Sequence, residues 1–335
     1  MKQIFDKNSE RFASLMVEKI ESMAMDWQKP WFHKVNTSRN FIPQNLNGRP
    51  YSGGNAFLLF FLCEKYNYQT PVFLTFNQAK EKGISILKGS KSFPVYYPIY
   101  YAYKLDTKEK ISLDEYKALS DEEKKSYKLL LYYQYYYIFN IDQTNFSEIF
   151  PEKWDKLFAQ YKPSTQNESN SNILFSNIIL EQMLLNNSWV CPINHKCGDN
   201  AFYSPSSDNI TLPLKEQFRD TESYYHVALH EMSHSTGIKE RLNRKGFYET
   251  DLFSYGREEL VAELSSALAG LYLGISTTIR EENAAYLQSW CKSIKEDPKY
   301  IFSVLSDAVK SVRYISNQLG FRLDNEILNH ESPLI

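Results

Sequence analysis

Apolar positions recur at helical spacing from the start of the chain. Phe12, Leu15, Met16, Ile20 and Met23 step mostly by three and four, which predicts an amphipathic helix through about residue 25. A turn-rich stretch follows, from Pro30 through Asn45, Gly48 and Pro50 to Gly53 and Gly54. The unbroken apolar run Ala56–Cys63 predicts a buried helix reaching Tyr66; at 8 residues it falls far short of the roughly 20 that cross a bilayer. Thr75 is placed to cap a short helix, Phe76–Lys82, with Gly83 as its stop. From Ile84 onward the spacing turns β-like, in Ser92–Tyr97, Ile99–Tyr103 and Tyr132–Ile141. The charged segment Ser112–Lys128 between them reads as a helical excursion on a solvated surface.

Residues 164–172 follow Pro163 and carry no apolar side chain, so they read as a surface linker between a domain over 1–163 and another over 173–335. In the second, Ile173–Leu185 is helical in pattern. Ala201–Pro205 and Asn209–Pro213 read as short strands joined by a hairpin-like turn at Ser206–Asp208. Helices are predicted over Ser223–Thr236, Tyr255–Tyr272, Glu281–Ile294 and Tyr300–Leu319, with Gly237, Gly274 and Gly320 closing three of them. The expectation is an α+β protein of two domains, an N-terminal α+β domain and a mostly helical C-terminal domain with a small sheet.

Composition narrows the class. With 335 residues, 43% hydrophobic and 15% aromatic, the chain is too apolar to be disordered and long enough for two domains, each with its own core. A net charge of −2 excludes a chain that is basic throughout, yet the charge is unevenly divided. Residues 1–163 hold 23 basic against 18 acidic side chains, a balance of +5; the remainder holds 15 against 22, a balance of −7. The N-terminal residues Met1–Lys7 form no apolar leader and four cysteines make no disulfide scaffold, so a cytoplasmic protein with no membrane segment is expected. Cys191, His195 and Cys197 place three donor types within seven residues but match no common zinc spacing, and read as ordinary thiols in a loop.

The sharpest chemistry is His230-Glu231-Met232-Ser233-His234. On a helix, positions i and i+4 share a face about 6 Å apart along the axis, so His230 and His234 can converge on one tetrahedral ion. Glu231 then sits beside the first ligand as the general base toward the attacking water. His226 lies about 12 Å from His234 along the axis, too far to share the ion, and reads as a packing residue or one that supports a ligand from behind. A third ligand must come from elsewhere. In Glu258-Glu259-Leu-Val-Ala-Glu263, two carboxylates one turn apart can serve as ligand and as acceptor of a histidine N–H. Glu259 is assigned as the ligand and Glu263 as the acceptor behind it, with Glu258, Glu259 and Glu263 able to exchange these roles.

These residues resemble the ArdC-type antirestriction family. The C-terminal half of that family is a zincin-like metallopeptidase domain, and its N-terminal half is a single-stranded-DNA-binding domain. The resemblance runs through Ala201–Pro205, Tyr225–Gly237, Arg241–Arg244, Tyr255–Glu263 and Glu282–Trp290. In the first half it covers Trp27–Trp31, Pro43–Asn55, Thr75–Lys80, Gly83, Lys88-Gly89 and Phe139–Gln143. The Tyr-rich insertion around Lys104–Tyr137 is longer and more charged than the family pattern. The resemblance implies a mobile-element protein that coats entering single strands against restriction; the same N-terminal domain also occurs in conjugative primases. It further implies a gluzincin-like HExxH site holding one zinc per chain.

Residues 27–104 carry ingredients for single-strand binding in their own right. Trp27, Trp31, Tyr51, Phe73, Phe76, Phe93, Tyr96 and Tyr97 offer stacking surfaces, and Lys29, Lys34, Arg39, Arg49, Lys80, Lys82, Lys88 and Lys91 are interleaved among them. Most of these aromatics would serve equally as core. Arg49, Tyr51, Lys88 and Lys91 are the selected DNA contacts. Two other readings remain open. In one, the metal only staples the second domain of a DNA-binding protein. In the other, a cytoplasmic zinc metallopeptidase acts on a protein or peptide partner and aligns it along an edge strand at Asn209–Leu212.

Overall fold

The computed structural model describes residues 2–24, 31, 41–161, 178–249, 251–275, 277–278 and 281–320; the expected linker 164–172 lies outside them. The first half runs α1 (Lys2–Ala24), β1 (Gln44–Asn45), α2 (Gly53–Lys65), β2 (Val72–Thr75), α3 (Phe76–Glu81), β3 (Phe93–Lys104), β4 (Lys110–Ser112), α4 (Leu113–Ala118), α5 (Asp121–Lys124), β5 (Tyr127–Asn140), α6 (Phe146–Ile149) and α7 (Pro151–Tyr161). Phe12, Met16, Ile20 and Met23 of α1 are all buried, as their spacing predicts, and so is every residue of α2 from Gly54 to Cys63. Thr75 closes a reciprocal cap at α3: its hydroxyl accepts from the Gln78 amide at 3.2 Å, while Gln78 Oε1 accepts from the Thr75 amide at 2.8 Å.

The first sheet has the order β1-β2-β5-β3-β4, parallel only at β1–β2. The runs Ser92–Tyr97 and Ile99–Tyr103, expected as two strands, form one. The register Phe93↔Ile138 to Lys104↔Tyr127 continues straight through Pro98. The proline is tolerated because β4 pairs only with Tyr101–Tyr103, leaving β3 an edge strand at that point. The Tyr-rich insertion is thus the far end of a long β3–β5 ribbon. There Lys110 Nζ lies 4.1 Å from the centroid of Tyr101, 5.6 Å from Tyr103 and 5.4 Å from Tyr132.

The second half contains α8 (178–185), β6 (Ile193–Lys196), β7 (Phe202–Ser204), β8 (Asn209–Pro213), α9 (Thr221–Ser235), α10 (Leu252–Leu273), α11 (Leu287–Glu296) and α12 (Tyr300–Gln318). The stretch Ile193–Lys196, expected as loop, is a strand pairing parallel to β8, so the sheet order is β6-β8-β7. Asn209–Leu212 is therefore the central strand. It is not the edge strand expected, since β6 pairs with Ile210–Pro213 on one side and β7 with Asn209–Thr211 on the other. Helix α10 starts where Asp251 caps the amides of Phe253 and Ser254, both at 3.0 Å, and ends at Gly274 with φ +68°. From Glu259 to Leu271 it is buried without interruption, enclosed by α9 and α12.

Two separate cores were expected; the halves instead share one continuous buried cluster. Helix α1 packs on α11, and α12 packs on α2. Phe302 of α12 inserts among first-half rings, with centroids 4.8 Å from Phe12, 4.9 Å from Tyr96 and 5.5 Å from Tyr133. Gly54 sits at this junction, where a Cβ would collide with the Tyr96 hydroxyl and meet Leu305 Cδ1 at 2.9 Å. Gly54→Ala is expected to destabilise the fold by about 1–3 kcal/mol through overpacking, read as a lower urea midpoint.

Candidate metal centre

The site stands where α9 crosses α10. Asp220 caps α9 by accepting from the Ser223 amide at 2.7 Å. The chain turns out of α9 at Gly237, where any side chain would collide with the Phe247 ring. Within α9, His230 is fully buried and the His234 side chain 13% exposed, with their rings at 75° and centroids 4.8 Å apart. Their Nε2 atoms face each other at 3.0 Å. Glu259 from α10 completes a triangle, with Oε2 at 3.4 Å from His230 Nε2 and Oε1 at 3.6 Å from His234 Nε2. Zinc–nitrogen bonds of about 2.0–2.1 Å in tetrahedral arrangement place donor atoms about 3.3 Å apart, so these residues fit a single ion. Among the described residues this is the one cluster of three metal donors within 4.8 Å of one another.

The outward nitrogens meet carboxylates. His234 Nδ1 lies 3.0 Å from Glu258 Oε1, and His230 Nδ1 lies 3.8 Å from Glu263 Oε1. At 3.0 Å the Glu258 carboxylate fixes the tautomer that leaves His234 Nε2 facing the ion, whereas Glu263 stands beyond hydrogen-bond distance of His230. Of the three candidate glutamates, the structure therefore brings Glu259 between the histidines and sets Glu258 and Glu263 behind them, one to each. Glu258 is held in turn by Arg244, which donates from Nε at 2.7 Å and from Nη2 at 2.6 Å, the forked geometry of guanidinium on carboxylate. Asn283 donates from Nδ2 to both Glu259 Oε2 at 2.8 Å and Glu263 Oε1 at 2.9 Å. Neither Arg244 nor Asn283 was singled out from the sequence. Both lie inside stretches that carry the family resemblance, the only signal that pointed to them.

The electrostatics follow from this packing. Burial alone would depress the His234 imidazolium, but the carboxylates of Glu259 and Glu258 outweigh it and raise its pKa to about 10. Burial works against the Glu259 charge as well, yet His234 and His230 hold it well below the usual carboxylate range. The cluster is thus an anionic cage around two imidazoles, suited to a dication.

Glu231 lies buried beside His230 on α9. His226 is buried too, with its Nδ1 facing Ser266 Oγ at 3.4 Å, outside the donor triangle. His195 Nε2 hydrogen-bonds the Tyr224 hydroxyl at 2.8 Å, Cys191 is buried and Cys197 exposed.

The first-half aromatics divide. Trp31, Phe73 and Phe93 are core. Tyr51 is only 8% exposed and packs edge-on to Phe73, so it forms a wall and not an open stacking surface. Phe76 and Tyr97 are exposed, at 59% and 41%. Arg49, Lys88 and Lys91 are exposed as well. Arg49 lines a groove with Tyr51, whereas Lys88 and Lys91 lie in the α3–β3 connection outside it. Trp27, Lys29, Lys34 and Arg39 lie outside the described residues.

Two histidines one helical turn apart, with a glutamate from the next long helix, define a zincin-like centre joined to an α+β domain. Residues 181–307 match the zincin-like metallopeptidase family, and residues 6–139 match the N-terminal domain of anti-restriction factor ArdC. The chain belongs to the ArdC-type family, with the N-terminal domain preceding the zincin-like one. Two DNA primases TraC of Escherichia coli are 31% and 29% identical to it over 90% of this chain; the chain spans only 26% and 19% of their lengths. An uncharacterized protein of Sinorhizobium fredii is 25% identical over 95% of this chain and 94% of its own. The metal-free crystal structure of the antirestriction ArdC protein from plasmid R388 aligns with a TM-score of 0.63 at 25% identity, covering 94% of this chain and 98% of that one. Its Mn(II)-bound structure shares the fold at 24% identity, with a TM-score of 0.60 over 92% and 97% of the two chains. Among the described residues no helix is long and apolar enough to cross a membrane.

Proposed function

We propose that this chain is an antirestriction-type protein of a mobile element, binding single-stranded DNA through its N-terminal half and carrying a zinc-dependent peptidase-like site. The observation that carries the reading is the donor triangle of His230, His234 and Glu259 within an ArdC-type chain. Those three residues would hold the ion, with Glu258 orienting the His234 imidazole and Glu263 standing behind His230. Zinc bound by such a set supplies the Lewis acidity for hydrolysing a peptide bond. Glu231 acts as the general base, taking the proton of the attacking water and returning it to the leaving amine. A protein of this kind works in the cytoplasm, where incoming strands meet restriction.

Two measurements test the two halves separately. Glu231→Gln should keep the metal while lowering cleavage of a fluorogenic peptide library at least about 100-fold. A variant with undiminished antirestriction activity would assign the metal a purely structural role. Titration of labelled oligo(dT) should show tight, salt-sensitive binding that a duplex of equal length lacks. Equal affinity for both, or for neither, overturns the single-strand reading.

A further inference from the structure

The two faces of the β3–β5 ribbon differ. Residues in register share a face, and every second residue along a strand returns to it. One face meets α1 and α12 through Tyr96 and Tyr133, and α4 through Tyr127. The other begins at the buried Phe93 and Val95, then carries Tyr97, Tyr101 and Tyr103 from β3 with Tyr132 and Tyr136 from β5. Four of these tyrosines form edge-to-face pairs, Tyr97 with Tyr136 at 5.4 Å and Tyr101 with Tyr132 at 5.9 Å between centroids. The inner members, Tyr97 and Tyr132, stand two register positions apart, about 7 Å along the ribbon. Each is 41% exposed.

Across the far end of the same face, Lys110, Tyr103 and Lys128 form one rank on β4, β3 and β5. Both lysines are exposed, and among the described residues neither forms an ion pair. The paired stretches of the three strands place no acidic residue on this face. At its outer edge the Glu115 carboxylate is engaged by the Ser112 amide at 2.7 Å and the Ser112 hydroxyl at 2.8 Å, as the cap of α4. The hydrogen bond with Tyr132 and the charge of Lys110 lower the phenol pKa of Tyr103, as a positive local field would.

We propose that single-stranded DNA lies along this face of the ribbon, with bases on Tyr97 and Tyr132 and backbone phosphates on Lys110 and Lys128. The inference rests on the single-strand reading above and adds where the strand runs. Charge selects a polyanion, because the strands give this face two exposed lysines and no acid. Stacking selects a single strand, because exposed rings reach base faces only where bases are released from a duplex. Lys110 lies over the rings of Tyr101, Tyr103 and Tyr132, which hold it beside the stacking surface without neutralising its charge. The tyrosine-rich insertion thereby acquires a role, since Lys110, Lys128 and Tyr132 all belong to it.

The test is anisotropy titration of fluorescent oligo(dT) with the full chain across a salt series. The variants are Lys110→Gln, Lys128→Gln, Tyr132→Ala and Tyr132→Phe, each checked for unchanged melting. Each lysine variant should weaken binding and flatten the slope of log K against log salt by about 0.7. Tyr132→Ala should weaken binding about 5- to 150-fold with the slope unchanged, and Tyr132→Phe, which keeps the ring, should bind as the wild type does. An equal loss in Tyr132→Phe would overturn the stacking role. Should Tyr132→Ala lower the melting temperature, the exposed Lys128→Gln decides. If the wild type binds single strands but the lysine variants leave affinity and slope intact, this face is not the site and the single-strand reading stands. If the wild type itself shows no salt-dependent affinity, both fall.

Discussion

Arg244→Ala should destabilise the fold by about 3–5 kcal/mol. Its guanidinium is 1% exposed. Besides the two bonds to Glu258, it donates to the Thr236 hydroxyl at 3.2 Å and to the Ser233 carbonyl at 3.0 Å. Removing it leaves the Glu258 carboxylate largely buried without its cation, and leaves the turn after α9 without the brace that ties Thr236 and Ser233 to α10. The loss should appear as a lower urea midpoint. A drop below 1 kcal/mol would mean that solvent reaches Glu258 and the pair acts as a surface salt bridge. Arg244→Lys should recover only part of the loss, because an ammonium cannot make the forked contact.

The second large effect concerns the metal. His234→Ala and Glu259→Ala should each reduce bound divalent ion from about one per chain to none after gel filtration, measured by elemental analysis, since two remaining donors do not hold a dication in competition with water. Asn283→Ala, which removes the bridge between Glu259 and Glu263, should be milder, weakening metal binding about 10- to 100-fold. Metal at a hundred times its Kd should stabilise the wild type by about 2.7 kcal/mol and His234→Ala not at all. Retention of stoichiometric ion by both ligand variants would place the ion elsewhere.

Much of this centre is legible from spacing, because helix geometry converts sequence separation directly into distance. His230 and His234 meet for that reason, and Glu259 and Glu263 share a face of α10 for the same one. Glu258 lies one position from Glu259 but meets Nδ1 of His234 where Glu259 faces Nε2, a distinction that depends on how α10 is rotated against α9 and so appears only in three dimensions. Arg244 and Asn283 reach the site from an irregular turn and a short 3₁₀ segment, where no periodicity relates position to place. Elements announced by caps and apolar runs, such as α2 and α3, are found close to their expected limits. Strand β6 is not, since Asn194, His195 and Lys196 are polar and exposed, and its pairing comes from β8 and not from its own pattern. The aromatics of the first half were the least decidable. Stacking on DNA and packing in a core use the same side chains, and only burial separates Phe73 from Phe76.

The crossing of α1 and α12 into opposite halves has a consequence for inheritance. Recombination that separated residues 6–139 from residues 181–307 would strand Phe302 without its ring of tyrosines and α1 without α11. Each fragment would emerge with a raw apolar face. The shared packing therefore favours inheritance of the two halves together. The primases TraC fit this pattern, since 26% and 19% of their lengths match 90% of this chain, a stretch that spans both halves.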